Sequence, residues 1–261
     1  MNYLEEYYKT YDEEGRLLSR HGQVEYRTTM RYIEECLEGV STPSILEVGA
    51  GTGRYSVTLA KQGRQVTAVE LIEHNLEILR SKLDGTEPIT AIQGNALDLS
   101  RLSDNSFDLT LLLGPMYHLY TKEEKLRALS EAVRVTKPGG YILVAYCMNE
   151  PTVIQYVFGL NHLCEVMDQN MLTSDWHCIS EPKDLFEMVR TEEIAELDAA
   201  VPVKRIKLVA ADGATNYMRG CIDAMDDETF SKWMDYHFTI CERQDLIGAS
   251  HHTLDILQKR T

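Results

Sequence analysis

At 261 residues the chain can bury the core of one large α/β domain, or of a domain carrying a sizeable insertion. Its hydrophobic fraction of 44% fits a soluble globular chain, and no apolar run is long enough to span a bilayer. The net charge of −15, from 26 basic and 41 acidic residues, weighs against a nucleic-acid partner, because each phosphate contact needs a lysine or arginine.

The start, Met1-Asn2-Tyr3-Leu4-Glu5-Glu6, lacks the basic and apolar regions of a signal peptide, so a cytoplasmic protein is expected. Residues 3–38 mix aromatic and charged side chains in a helical rhythm and predict two helices with a break near Gly15 and Gly22. Strands and helices then alternate: strand 45–48, helix 54–61, strand 65–69, helix 73–83, strands 89–92 and 107–113, helix 122–136, strand 140–146. That alternation calls for a parallel sheet covered by helices on both faces. Lys137-Pro138-Gly139-Gly140 should stop the helix before it and turn the chain into the next strand. Further on, residues 151–173 read as helical, 182–190 as a short amphipathic helix, 202–210 as a strand, 214–246 as mostly helical and 252–258 as a last strand. Cys36, Cys147, Cys164, Cys178, Cys221 and Cys241 form no Cys-x-x-Cys pair and are expected as buried or semi-buried free thiols. The histidines are scattered, and no cluster predicts a metal.

The strand at 45–48 leads into Glu47-Val48-Gly49-Ala50-Gly51-Thr52-Gly53, where glycines let backbone approach a ligand closely. The next strand ends at Glu70, a carboxylate placed to accept both hydroxyls of a ribose at the carboxyl edge of the sheet. It also suits the N-terminal cap of the helix from Glu73. Together with Gly94-Asn95-Ala96 and the strand reaching Leu113-Gly114, these segments resemble the class I S-adenosylmethionine-dependent methyltransferases over about residues 41–146.

The resemblance implies a doubly wound α/β fold: a mostly parallel seven-stranded sheet whose antiparallel C-terminal strand slots between its two predecessors. The implied organisation is N-terminal helices at 1–40, a Rossmann-like domain at 41–147 and 181–261, and helical insertions at 148–180 and 212–246 forming a substrate cap. It implies S-adenosyl-L-methionine as cofactor, held by Glu47, Gly49, Ala50, Gly51, Gly53, Glu70, Leu71, Asn95, Ala96 and Leu113. Asn95 stands where the family usually has aspartate and keeps a carbonyl acceptor there, while Asp98 stabilises the loop. Enzymes of this kind often cover the site with their first helix, a role open to Tyr7, Tyr8, Tyr11, Arg16 and His21. Tyr3, Tyr7 and Tyr11, at i, i+4 and i+8, equally make an ordinary packing stripe.

His118, on the loop after the fourth strand, is the candidate general base, with Tyr117 beside it; a histidine hydrogen-bonded in the wall is the alternative. The loop lacks the Asn/Asp-Pro-Pro-Tyr sequence of exocyclic amino methyltransferases. Of His251 and His252, one at most should face the crevice, because successive strand residues point oppositely. Met167, Met171, Trp176, Met225, Trp233 and Met234 either line an apolar acceptor pocket or form the core of the insertions. The expected reaction is methyl transfer to a small-molecule acceptor, with no membrane partner. Two other readings stand beside it: an RNA or protein acceptor, and a catalytically inactive cofactor-binding regulator. A nicotinamide dehydrogenase is opposed by Arg54, where its loop would want glycine or alanine. No pattern selects an oligomeric state.

Overall fold

The apolar runs after residue 43 are strands because β-branched and leucine side chains alternate between two buried faces. In the first strand, β1 (Ser44–Val48), Ile45 joins one apolar cluster and Leu46 the other. The computed structural model describes residues 3–261; Met1 and Asn2, the first residues of the expected N-terminal unit, lie outside the described residues. The other strands are β2 (Gln65–Glu70), β3 (Ile89–Gln93), β4 (Phe107–Leu112), β5 (Thr136–Met148), β6 (Met188–Val189), β7 (Val203–Ala210) and β8 (His252–Lys259). They form one sheet in the order β3-β2-β1-β4-β5-β8-β7, with the two-residue β6 pairing the end of β5. Strands β1 to β5 are parallel, and β8 runs antiparallel between β5 and β7. The seven-stranded sheet with its inserted C-terminal strand is therefore present, extended by β6.

One face of the sheet buries Leu46, Leu112 and Val144 under the helices Lys122–Val135 and Thr191–Ala199. The other buries Ile45, Leu111 and Leu143 under Arg20–Cys36 and Arg54–Lys61. Helix Lys122–Val135 begins in a capping box, Thr121 accepting from the Glu124 amide and Glu124 returning to the Thr121 amide. At its other end, residues 137–140 are absorbed in an irregularity of β5. Phe107 pairs with Thr136, but Leu109 already pairs with Tyr141.

Three elements differ from expectation. The N-terminal region makes Tyr3–Thr10, Glu13–Arg16 and Arg20–Cys36, so Gly15 and Gly22 lie inside helices. The breaks fall before Asp12 and Ser19, whose side chains cap the amides of Gly15 and Gly22. Residues 182–190 form a single 3-10 turn and β6 instead of an amphipathic helix, while a helix not foreseen follows at Thr191–Ala199. Helix Asp227–Ile240 packs Phe230 and Met234 against Val24 and Ile222, with Met225 and Trp233 alongside, so these residues are core. All six cysteines are free; Cys164 and Cys221 are exposed, unlike the other four. No helix of the described residues is long and apolar enough to cross a membrane.

Candidate functional site

The strand order reverses between β1 and β4, and at such a point the loops at the carboxyl ends separate and leave a crevice. The loop after β1 enters it along a path that only glycine tolerates. Gly49 has φ +77°, and a Cβ there would lie 2.6 Å from Pro115 Cδ. Gly53 has φ +84° and caps helix Arg54–Lys61; a Cβ there would meet Leu79 Cγ at 2.6 Å.

A cavity of about 370 Å³ opens above this loop. From β1 and its loop it is lined by Glu47, Gly49, Ala50 and Gly51; from β2, by Glu70, Leu71 and Ile72; from the β3 loop, by Asn95 and Ala96. Leu113, Tyr117 and His118 complete the set after β4. Of the residues expected to hold the cofactor or to act in catalysis, Gly53 alone is not on this wall; it holds the loop against the helix beneath.

Glu70, Glu47 and Asn95 are already engaged in shaping the cavity. Glu70 accepts the Gly51 amide at 2.7 Å and the Ile72 amide at 2.8 Å, so it braces the glycine loop and starts the next helix at once. The Asn75 side chain also hydrogen-bonds this carboxylate, which keeps lone-pair capacity for a ligand beyond these three donors. Burial, and to a lesser degree the charge of Glu13, push the Glu70 carboxyl above its usual range. Glu47 is fully buried and accepts both the amide and the hydroxyl of Ser56; burial raises it to about 8. Asn95 accepts the Leu97 amide and Asp98 the Ser100 amide, which ties the loop as expected for Asp98.

The N-terminal segment closes the cavity. Leu4, Tyr8, Glu13, Arg16 and Leu17 line it, and Glu14 is clasped by Lys82 and by the Thr52 hydroxyl. Tyr7 stacks on Tyr11 at 4.7 Å and meets Phe186 edge-on, whereas Tyr3 is 41% exposed. His118 contacts the Leu185 carbonyl through Nδ1 at 2.8 Å; a carbonyl only accepts, so Nδ1 carries the proton. Its Nε2 therefore accepts from the Tyr8 hydroxyl at 3.1 Å. Burial lowers the His118 pKa, leaving the ring neutral and basic at Nε2.

Tyr8, Glu13, Arg16 and Tyr117 also line a second cavity of about 280 Å³, so the two share a wall. At its far side lies a network that the sequence did not reveal. Arg16 holds Glu25 at 2.8 Å, and Asp212, at the end of β7, bonds His252 Nδ1 at 2.7 Å. Burial would raise Asp212, but the His252 charge and hydrogen bonds bring it to about 2. Burial would lower His252, yet Glu25 and Asp212 hold it well above the imidazole range. Burial pushes the adjacent His251 down to about 4. Both histidines line the cavity, contrary to the one-face expectation, because β8 begins only at His252 and His251 belongs to the turn. Glu25, Asp212 and His252 place ligand atoms within 4.8 Å of one another. Arg16 occupies the Glu25 oxygens, and Ser250 and the His252 amide take Asp212, which makes the cluster an ion-pair network. The one available sequence signal was that Asp212 follows the strand at 202–210 by two residues.

Residues 46–144 match the family model of a methyltransferase domain. The chain is 31% identical over 148 residues to a demethylmenaquinone methyltransferase of Clavibacter sepedonicus, covering 57% of this chain and 58% of that one. It is 23% identical to a ubiquinone biosynthesis O-methyltransferase of Alkalilimnicola ehrlichii, covering 62% of this chain and 65% of the other. The chain thus spans about three-fifths of the length of these curated relatives. In fold it is similar to a SAM-dependent methyltransferase from Methanosarcina mazei, with a TM-score of 0.59 at 16% identity over 88% of this chain and 97% of that one.

Proposed function

We propose that the protein is an S-adenosylmethionine-dependent methyltransferase acting on a small-molecule acceptor, a reading supported by the match of residues 46–144 to the methyltransferase domain model. The observation that carries this reading is the pair of cavities meeting at Tyr8 and Tyr117, one built on the glycine loop and Glu70, the other reaching Asp212 and His252, with the N-terminal segment lining both. The names of the curated relatives are consistent with a small acceptor.

The residues present fit the cofactor. Gly49 and Gly51 leave backbone bare where the methionine end would lie, and a Cβ at Gly49 would collide with Pro115. The free lone pairs of Glu70 suit ribose hydroxyls, and Leu71, Ile72 and Ala96 suit adenine. S-adenosylmethionine, when bound, supplies a methyl group activated by a sulfonium. The protein's task is then to align the nucleophile, exclude water and accept a proton. An acceptor O–H or N–H on the Tyr8 oxygen would pass its proton there as Tyr8 passes its own to His118 Nε2. Neutral His118 does this without prior deprotonation, so turnover should stay level near neutrality and fall only below the usual imidazole range. The aromatic wall of Tyr8, Tyr117 and Phe186 suits a small-molecule acceptor better than an RNA strand or a protein chain.

Calorimetry with S-adenosylmethionine and S-adenosylhomocysteine tests the cofactor. Binding of both is expected, and stabilisation by NADH alone would replace this reading with a dehydrogenase. With a methylated product in hand, His118→Gln should keep S-adenosylhomocysteine affinity and lower turnover by about a hundredfold. Unchanged turnover would remove His118 from the mechanism. Tight cofactor binding with no product across a broad metabolite panel would favour the inactive regulator.

A further inference from the structure

The acceptor cavity does not end at His251. A third, larger cavity of about 700 Å³ continues from it, sharing Thr152, Phe186, Met188, Arg219 and His251. Its walls come from the segment 152–188, and Val157, Leu160, Val166, Met171, Leu172 and Ile179 make it largely apolar. Leu160 and Ile179 stand 63% and 46% exposed on it. Its acidic wall residues are engaged elsewhere, Glu165 with His162 at 2.9 Å and Asp184 with the Glu181 amide.

The junction between the two cavities is polar and unsatisfied. Arg219 donates Nε–H to Asn216 Oδ1 at 2.7 Å and forms no ion pair among the described residues. Beside it, the His251 Nδ1 and the Tyr217 hydroxyl are buried without a hydrogen-bond partner, their rings 4.9 Å apart. Gln155 donates to the Asn216 carbonyl at 2.8 Å, fixing this junction to the wall of the larger cavity.

Resting on the methyltransferase reading, we propose that the acceptor is an amphipathic anion: its acidic group sits at Arg219, its apolar part fills the third cavity, and its reacting atom reaches into the second. A neutral compact acceptor would leave the guanidinium unpaired and the apolar walls wet; an amphipathic anion satisfies both.

The test is calorimetry on protein saturated with S-adenosylhomocysteine, using butanoate, octanoate, decanoate and octylamine as probes. Affinity should rise roughly fourfold per added methylene until the cavity is filled, as burial of each methylene predicts. Octanoate should bind at least tenfold tighter than octylamine. Arg219→Ala should abolish that preference, and Leu160→Asp with Ile179→Asp should flatten the chain-length series; all three positions are exposed or rim sites whose replacement leaves the core intact. Equal binding of butanoate and decanoate, or of octanoate and octylamine, or indifference to the variants, overturns the proposal. The S-adenosylhomocysteine titration on the same samples separates the two levels. If it binds and the series is flat, only this inference falls; if it does not bind, the methyltransferase reading falls with it.

Discussion

Glu70→Ala is expected to weaken S-adenosylhomocysteine binding by about a hundredfold. Two hydrogen bonds from ribose hydroxyls to a charged acceptor contribute about 1.5 kcal/mol each, and about 3 kcal/mol is two powers of ten in affinity. The loss has a second source, because the Gly51 and Ile72 amides lose their acceptor and the glycine loop its brace. Glu70→Gln separates the two: an isosteric amide still accepts one backbone N–H but turns a donor toward the other, so a loss nearer tenfold is expected. The sign with pH follows from burial and the Glu13 charge, which both raise the Glu70 carboxyl. Binding should therefore be level where the group is ionised and decline on acidification sooner than for an exposed glutamate. If Glu70→Ala binds as the wild type does, neither a ribose contact nor the bracing of the loop by Glu70 contributes to binding.

The cavity built on the glycine loop was legible in the sequence, and the two cavities beyond it were not. Glycine at 49 and 53 and an acidic residue at 70 are required by local backbone geometry, so short-range spacing records them. Even there, Glu70 lines the cavity and also anchors the start of the next helix, where the sequence offered a ligand role and a cap as alternatives. The second cavity gathers Arg16, Glu25, Asp212 and His252 from four separate elements of the chain. Nothing in local periodicity records a contact between residues 25 and 252. The methionines and tryptophans show the same limit from the other side. Met171 lines the third cavity, while Trp233 and Met234 lie in the packing between helices Asp227–Ile240 and Arg20–Cys36. An apolar helical stripe has the same pattern in either setting; only the partner across it tells which.

Breaking the Asp212–His252 pair should have the largest effect on stability. Asp212 is 1% exposed, and its carboxyl is brought from 3.8 to about 2, a differential of roughly 2.5 kcal/mol in favour of the charged form in the folded state. Asp212→Asn removes that and leaves the His252 imidazolium beside Glu25 alone, 3.6 Å away and already held by Arg16. Breaking a buried pair by removing one partner costs about 3–5 kcal/mol, which for a chain of this size is about 6–20 °C in melting temperature. The dependence on pH distinguishes an ion pair from mere packing. The Asp212 contribution is present above its unfolded pKa and lost as pH falls toward 2. The His252 contribution, whose pKa is raised, is complete below the unfolded value and lost as pH rises through the folded one. The gap between wild type and Asp212→Asn should therefore be widest at mildly acidic to neutral pH and should narrow in strong acid and in alkali. A gap that stays constant across that range would mean that Asp212 acts through its hydrogen bonds to Ser250 and the His252 amide, with no charge on the imidazole.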